Sequence, residues 1–417
     1  MSRVVVVGSG AREHALAWAL GRSADVVVTP GNSGMAAHGI ATTSASPLDL
    51  EADLVVIGPE SPLVEGLADE LRRRGIAVFG PGLEGARLEG SKAYMKEFLA
   101  AAGVPTARFG VFEDENAADE FLRTMSAPYV IKTDGLAAGK GVLVTHDLDA
   151  ARADVRAKLS GTAFGEAGRR VVIEEALTGP ECSVMVLVDG VRAWPLVAAQ
   201  DFKRVGEGDT GANTGGMGAY CPMPGLTHEL DEVMEHIVTP TLRELAARGV
   251  DYRGVLYAGV MLTPRGPYLL EYNVRFGDPE TEVVVRLYED TLGRILDDCA
   301  RGRLEMPPTS APGAAVTVVL AARGYPEAPE FGHVIEGLGD DGQLAEPLEG
   351  VVVFHAGTRR DDSGRFMTHG GRVLAISAHA ETIALARGLA YRAVDQVHFE
   401  GRVIRSDIAR DVKEEEA

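Results

Sequence analysis

The run VIKTDGLAAGKGV, Val130 to Val142, sets a lysine on an apolar strand, Lys132, beside a loop of small residues that ends in a second lysine, Lys140. Glycines at Gly135, Gly139 and Gly141 let backbone N–H groups approach phosphate oxygens unobstructed, and the ammonium groups offset phosphate charge. The stretch reads as a loop that closes on nucleotide phosphates. Its spacing argues against a P-loop, because Gly141 and Val142 follow Lys140 where a magnesium-holding Ser or Thr would stand. A plain glycine-rich β-hairpin is the alternative reading of the same residues.

On the N-terminal side, short apolar runs alternate with helical stretches: RVVVVG, REHALAWALGR, DVVVTPGN, ADLVVIGPE, LVEGLADELRRRG and IAVFGPG. Strand alternating with helix predicts a parallel sheet with crossover helices. SKAYMKEFLAAAGVPT then predicts a helix stopped by Gly103 and Pro105. From about Tyr129 to Asp189, the strands YVIK, GVLVT, RVVIEEAL and CSVMVLVDG around one helix suggest a small α+β module. Further strands and the helices THELDEVMEHIVTPTLRELAARG and PETEVVVRLYEDTLGRILDDCARG follow. After PPTSAPG comes a β-rich unit with AAVTVVLAA, GVVVFHAG and GGRVLAISA, closed by the helix ETIALARGLAYRAVDQV.

The chain has 417 residues, enough for roughly three units. Its net charge of -20 repels nucleic-acid backbones and anionic membranes at long range, so any phosphate binding has to be local. Cys182, Cys221 and Cys299 are dispersed and lack CxxC spacing, which argues against a disulfide framework or a thiolate zinc site and suits a reducing cytosol. A strand beginning at Val4 leaves no secretory signal, and no apolar run reaches the roughly 18 residues of a membrane span. The expected location is cytoplasmic.

Several segments carry candidate chemistry. GSGAREH, Gly8 to His14, follows the first strand but has Glu13 where a dinucleotide fingerprint needs its third glycine, so an NAD site is not expected. The turn into a helix still offers an anion site for a phosphorylated small molecule at Gly10, helped by Arg12 and the PGN and GPE loops, or else it is a tight turn with Arg12 solvated. Glu174 and Glu175 end the strand RVVIEEAL, with Glu181 beyond. Buried carboxylates need partners, and an adenine amino group with ribose hydroxyls would serve; edge carboxylates facing water are the alternative.

In LLEYNVRFGDPETE, alternation puts Glu271, Asn273 and Arg275 on one face and Leu270, Tyr272 and Val274 on the other. Glu271 and Asn273 suit Mg²⁺ or Mn²⁺, and Arg275 suits a phosphate or carboxylate. AQDFKRVGEGDTGANTGGMGAY, Ala199 to Tyr220, reads as a flexible glycine-rich loop with Asp201, Lys203 and Arg204, able to cover a substrate or simply to lie on the surface. The ten histidines show no metal spacing, and His355 and His369 read as structural.

Taken in order, these pieces resemble the ATP-grasp ligases, and closely the glycinamide ribonucleotide synthetase family. LEGSKAYMKEFL, NTGGMGAY, RFGDPETE, HAGT and GGRVLAIS look like that family's blocks in its order. The resemblance implies an N-terminal parallel-sheet α/β (pre-ATP-grasp) substrate domain over residues 1–103. It implies an ATP-grasp domain over 104–311 with a small mobile lid at about 122–189, and a C-terminal β-rich domain over 312–417.

It also implies that glycine, ATP and 5-phosphoribosylamine react through glycyl phosphate to give glycinamide ribonucleotide, ADP and phosphate in purine biosynthesis. The chain would be a monomer or small homo-oligomer with small-molecule partners only. Carried over by position, Lys92 and Lys132 would contact ATP phosphates under the loop Gly135, Gly139, Lys140 and Gly141, with Lys96 competing for Lys92's role. Glu174, Glu175 and Leu177 would read adenine and Glu181 ribose, while Glu271 and Asn273 would bind Mg²⁺ or Mn²⁺. Arg275 and Asp201 would act in catalysis. Gly10, Arg12, Glu13 and Asn32 would face phosphoribosylamine, with Asp201 and Lys203 near glycine. The strand GVLYAGVML departs from the ATP-grasp pattern in offering only Ala258 and Gly259 where a further acid often stands.

Overall fold

The structure, a computed structural model, describes residues 2–135, 141–163 and 168–412. The first unit is a five-stranded parallel sheet in which Arg3–Gly8 is central, flanked by Asp25–Pro30 and then Ala41–Thr42 on one side and by Leu54–Ile57 and then Ala77–Phe79 on the other. The strand order reverses at Arg3–Gly8, so the loops after Gly8, Pro30 and Ile57 meet at one crevice beyond the carboxyl ends of the strands. Val5, Val7, Val55 and Ile57 face a core shared with Met95, Phe98 and Leu99 of the helix Lys92–Ala102. Ser91 caps that helix by accepting the Tyr94 N–H, and Gly103 ends it at φ +69°, a conformation that favours glycine.

Two antiparallel sheets follow. The larger runs Ala193–Pro195, Glu181–Asp189, Arg253–Thr263, Gly266–Asn273. The smaller runs Phe109–Phe112, Val171–Glu175, Tyr129–Thr133, Val142–Thr145 and has its own core under the helices Glu115–Leu122 and Leu148–Leu159. The small module therefore spans Phe109 to Glu175, earlier than the expected 122–189. CSVMVLVDG, expected in the module, pairs with Arg253–Thr263 in the larger sheet instead. Its burial on both faces hides the alternation that would tell the two sheets apart.

The C-terminal sheet, Gln200–Asp201, Gly218–Cys221, Ala314–Ala321, Arg372–Ala380, Val351–His355, borrows its first two strands from the glycine-rich segment. That segment is pinned rather than loose. Arg405 donates to Asp209 Oδ1 (2.7 Å) and Arg204 O (3.1 Å), the Ser406 N–H donates to Glu207 Oε1 (3.2 Å), and the Gly208 N–H donates to Asp407 Oδ2 (2.8 Å). Both long helices expected between residues 227 and 302 are interrupted. One passes through a π-helical turn at Met234–Val238, just before Pro240, which has no N–H to continue the ladder. The other breaks between Leu287 and Leu292.

Candidate active site

The strands on either side of the glycine-rich run in Val130–Val142 form a hairpin. Tyr129–Thr133 pairs antiparallel with Val142–Thr145, with Lys132 opposite Val142, and the Thr133 N–H donates to Gly141 O at 2.8 Å. Gly139 and Lys140 lie outside the described residues. Gly135, at φ +83°, offers its carbonyl to Lys92 Nζ at 3.2 Å. The base of the loop is fixed by a residue that sequence reading overlooked. Asp134 accepts from Ser91 Oγ (2.9 Å), the Ala93 N–H (3.1 Å) and Arg170 Nε (2.7 Å), tying the small sheet to the start of the Lys92 helix.

Lys132 and Lys96 converge on one carboxylate. Lys132 Nζ stands 2.9 Å from Glu174 Oε1 and Lys96 Nζ 2.9 Å from Oε2, with Glu174 2% exposed. Burial pushes the Glu174 carboxyl up, but the two ammonium groups outweigh it and hold the group below its usual range. Within the protein the partners of Glu174 are these two lysines. Lys96, fully buried, also donates to Thr106 Oγ1 at 2.6 Å and is committed to structure, which removes it as a rival to Lys92. Glu175 accepts the Arg108 N–H (3.1 Å), Leu177 lies half-buried in the following connection, and Glu181 pairs with Lys203 at 3.0 Å.

On the facing strand, the register with Arg253–Thr263 slips between Leu269 and Glu271, leaving Leu270 as a bulge residue. Alternation therefore restarts there: Leu269, not Leu270, joins Tyr272 and Val274 in the core, and the Leu270 carbonyl turns toward Lys132 Nζ at 3.4 Å. Glu271 and Asn273 keep the face expected of them. Burial raises the Glu271 carboxyl, yet Lys203, Lys132, Lys92 and Arg275 together hold it below its usual range, so it is an anion ringed by cations. Arg275 does not stand free: its guanidinium lies 2.9 Å from Glu89 Oε1, 3.4 Å from Glu60 Oε2 and 3.2 Å from Asn273 Oδ1.

Opposite Asn273 in the ladder is Tyr257, whose hydroxyl donates to Glu280 Oε1 at 2.7 Å; Ser183 Oγ reaches the same oxygen at 3.2 Å. Glu280 thus brings an acid from the next loop against Tyr257 of the GVLYAGVML strand, which has none of its own. It belongs to the RFGDPETE block, but lies beyond the strand where periodicity can point to it. Burial raises the Asp201 carboxyl, with Lys203 opposing and Glu280 and Glu181 reinforcing the shift.

In the N-terminal unit, two expected substrate contacts are already spent. Glu13 accepts the Gly10 N–H (2.6 Å) and Arg12 Nε (2.6 Å), filling the helix N-terminus where an external anion was expected. Asn32 accepts the Met35 N–H (2.9 Å) and donates to Ser9 O (2.8 Å) and His355 O (2.9 Å), which makes it a cross-link rather than a ligand contact. Arg12 is buried, not solvated, with Nη1 on Phe276 O at 3.1 Å. His355 is structural, held between Thr358 Oγ1 (2.9 Å) and Gly342 O (2.8 Å).

Two oxygen donors on one strand face suit a hard divalent cation that takes the rest of its shell from phosphates and water. Among the described residues no group of three or more His, Cys, Asp or Glu forms a protein-only cage. No helix there is long and apolar enough to cross a membrane.

Residues 2–89, 90–281 and 315–411 match the N domain, the ATP-grasp (A) domain and the C domain of phosphoribosylglycinamide synthetase. The phosphoribosylamine–glycine ligase of Caulobacter vibrioides is 47% identical over 424 residues, 97% of each chain, and that of Escherichia coli 44% over 427 residues, again 97% of each. The crystal structure of the Thermotoga maritima phosphoribosylamine–glycine ligase superposes with a TM-score of 0.85 at 40% identity, covering 97% of this chain and all of that one. The biotin carboxylase domain of Hydrogenobacter thermophilus 2-oxoglutarate carboxylase, 18% identical with a TM-score of 0.72 over 97% of this chain and 91% of that one, shares the fold.

Proposed function

The chain belongs to the phosphoribosylglycinamide synthetase family, and from that premise we infer that the cleft between its two antiparallel sheets works as follows. The enzyme is an ATP-grasp carbon–nitrogen ligase of purine biosynthesis: it joins glycine to 5-phosphoribosylamine using ATP, giving glycinamide ribonucleotide, ADP and phosphate. A carboxylate acylates poorly until phosphorylated, so glycine's carboxylate first takes the γ-phosphoryl group, and the amine of phosphoribosylamine then displaces phosphate from glycyl phosphate. Such chemistry rests on positioning and charge neutralisation, with no protein nucleophile.

Lys92 and Lys132 hold the ATP phosphates, and Glu174 aims Lys132 through its ion pair. The loop from Gly135 to Gly141, with Gly139 and Lys140, closes above them. Glu175, Leu177 and Glu181 border the nucleoside end. Glu271 and Asn273 would hold Mg²⁺ or Mn²⁺, which when bound supplies charge neutralisation at the phosphoryl oxygens. Arg275, fixed by Glu60 and Glu89, presents its charge at the reacting end. Asp201 and Lys203, with Glu280 behind them, receive glycine, and the Gly10 loop with Arg12 faces phosphoribosylamine. Glu13 and Asn32 brace that loop. Working domain limits are 1–103, 104–311 and 312–417, in a cytoplasmic monomer or small homo-oligomer.

The observation that carries this account is the convergence of Lys132, on Glu174 and the Leu270 carbonyl, and of Arg275, on Asn273, at the strand that bears Glu271. ADP release should require glycine and phosphoribosylamine together; an ADP rate unchanged when glycine is omitted defeats the assignment of substrates. A pH prediction follows from Asp201. Because burial raises its carboxyl, the group gives up its charge on acidification at a higher pH than an ordinary aspartate. The acid limb of kcat/KM for glycine should report that loss, and Asp201→Asn should flatten it while lowering the plateau by about tenfold. An unchanged acid limb in Asp201→Asn would remove Asp201 from the glycine site.

A further inference from the structure

All three units meet at Asp278. The N-terminal unit brings Gly10, where a Cβ would stand 3.7 Å from Asp278 Oδ2. It also brings Arg12, which spends Nε on Glu13 and Nη1 on Phe276 O. From the C-terminal sheet comes Arg372, at the start of Arg372–Ala380. Its Nη1 lies 3.0 Å from Asp278 Oδ1, donates to Asp278 O at 2.9 Å, and also donates to Gly215 O. Among the described residues every polar contact of this guanidinium runs through Nη1. Its Nε–Nη2 edge, which presents two parallel N–H groups to a planar or tetrahedral anion, is uncommitted.

The local charges leave that edge active. Glu282 is fully buried, and neither of its carboxyl oxygens has a hydrogen-bond partner among the described residues. Burial and Asp278 push this carboxyl well above its usual range against the pull of Arg372, which favours its neutral form, while Asp278 is the carboxylate in contact with Arg372. The charged and titratable groups that act on Arg372 are Asp278, Tyr325, Glu282 and Arg12, whereas those that hold Glu271 are Lys203, Lys132, Lys92 and Arg275. The molecule therefore has two cationic clusters, one in the nucleotide cleft and one at the three-unit junction, which adjoin where Arg275 and Arg12 both donate to Phe276 O. The reaction has two phosphate-bearing substrates.

Resting on the functional reading above, we propose that Arg372, through its Nε–Nη2 edge and opposite Arg12, binds the phosphate of phosphoribosylamine and of the ribonucleotide product. The C-terminal unit then contributes a substrate-binding residue, and Asp278 fixes the angle at which it does so.

The test compares two ligands that differ only in the phosphate: glycinamide ribonucleotide and glycinamide riboside, titrated calorimetrically into the full chain. Wild type should bind the ribonucleotide more tightly, and Arg372→Met should weaken it by about tenfold or more while moving the riboside less than about twofold. Arg372→Lys, which keeps the charge without the fork, should fall between and guards against misfolding of the Met variant. A general loosening through lost Gly215 or Asp278 contacts would weaken both ligands equally, and that outcome overturns the proposal. So does a wild type that binds the two ligands alike. A wild type that binds neither removes the functional reading itself, and this proposal with it.

Discussion

Glu271→Gln should lower kcat by about two orders of magnitude at saturating magnesium, with a smaller effect on the KM of glycine. The carboxylate is the anionic member of the proposed metal-binding pair. It is also the counter-charge that lets Lys92, Lys132, Lys203 and Arg275 share one cleft. The amide is isosteric and keeps the hydrogen-bonding reach of the side chain, so the loss measures charge rather than shape. With the charge removed, the same four cations repel one another, and part of the cleft's alignment is lost before any substrate enters. Initial rates of ADP formation across a magnesium series separate the two effects: a metal-affinity defect is rescued by excess magnesium, a positioning defect is not. Near-normal turnover at every magnesium concentration, limiting as well as saturating, would detach Glu271 from the chemistry.

How much of this cleft can be read from residues alone varies from strand to strand. Glu271 and Asn273 are legible because period-two alternation needs no partner, but Leu270 is not. Its bulge arises from the register against Val260 and Gly259, a property of two strands that neither segment encodes by itself. Glu174 stands out as a carboxylate needing partners, yet its partners are lysines, and only packing of the small sheet against the Lys92–Ala102 helix brings Lys96 to it. The same applies to the glycine-rich segment: its glycine density is visible, but the anchor comes from Arg405 through Asp407, near the other end of the chain. Glu13 and Asn32 sit in loops that look like ligand loops, and each side chain is consumed by the geometry that makes such loops tight. Local pattern thus identifies strands, caps and polar faces, while the identity of a polar group's partner waits on tertiary contacts.

Glu174→Leu should be the most damaging single change to the framework, costing about 3–5 kcal/mol, because it leaves two buried ammonium groups without their shared counter-ion. Lys96 is the more exposed to this loss in energetic terms. Fully buried, it is already pushed down to about 8 by desolvation against the opposing pull of Glu174. Without Glu174 it should shed its proton in the neutral range. The sign of the pH dependence follows: a lysine whose folded pKa lies below its unfolded one leaves the unfolded state binding more protons between the two, so stability of the variant rises as pH increases across that window.

Wild type carries the complementary signature. The Glu174 carboxyl is held below its usual range when folded, so its contribution is present above the ordinary glutamate pKa and disappears as pH falls through the folded value. Urea midpoints at pH 7 and pH 9 should therefore converge between variant and wild type at the higher pH. Glu174→Gln, which keeps one carbonyl acceptor for one lysine but turns an amide NH2 donor toward the other, should recover only a small part of the loss. ATP affinity should fall with both variants, since Lys132 is no longer aimed by a charge. A Glu174→Leu protein with wild-type urea midpoint and wild-type ATP affinity would show that the two lysines are placed by packing alone.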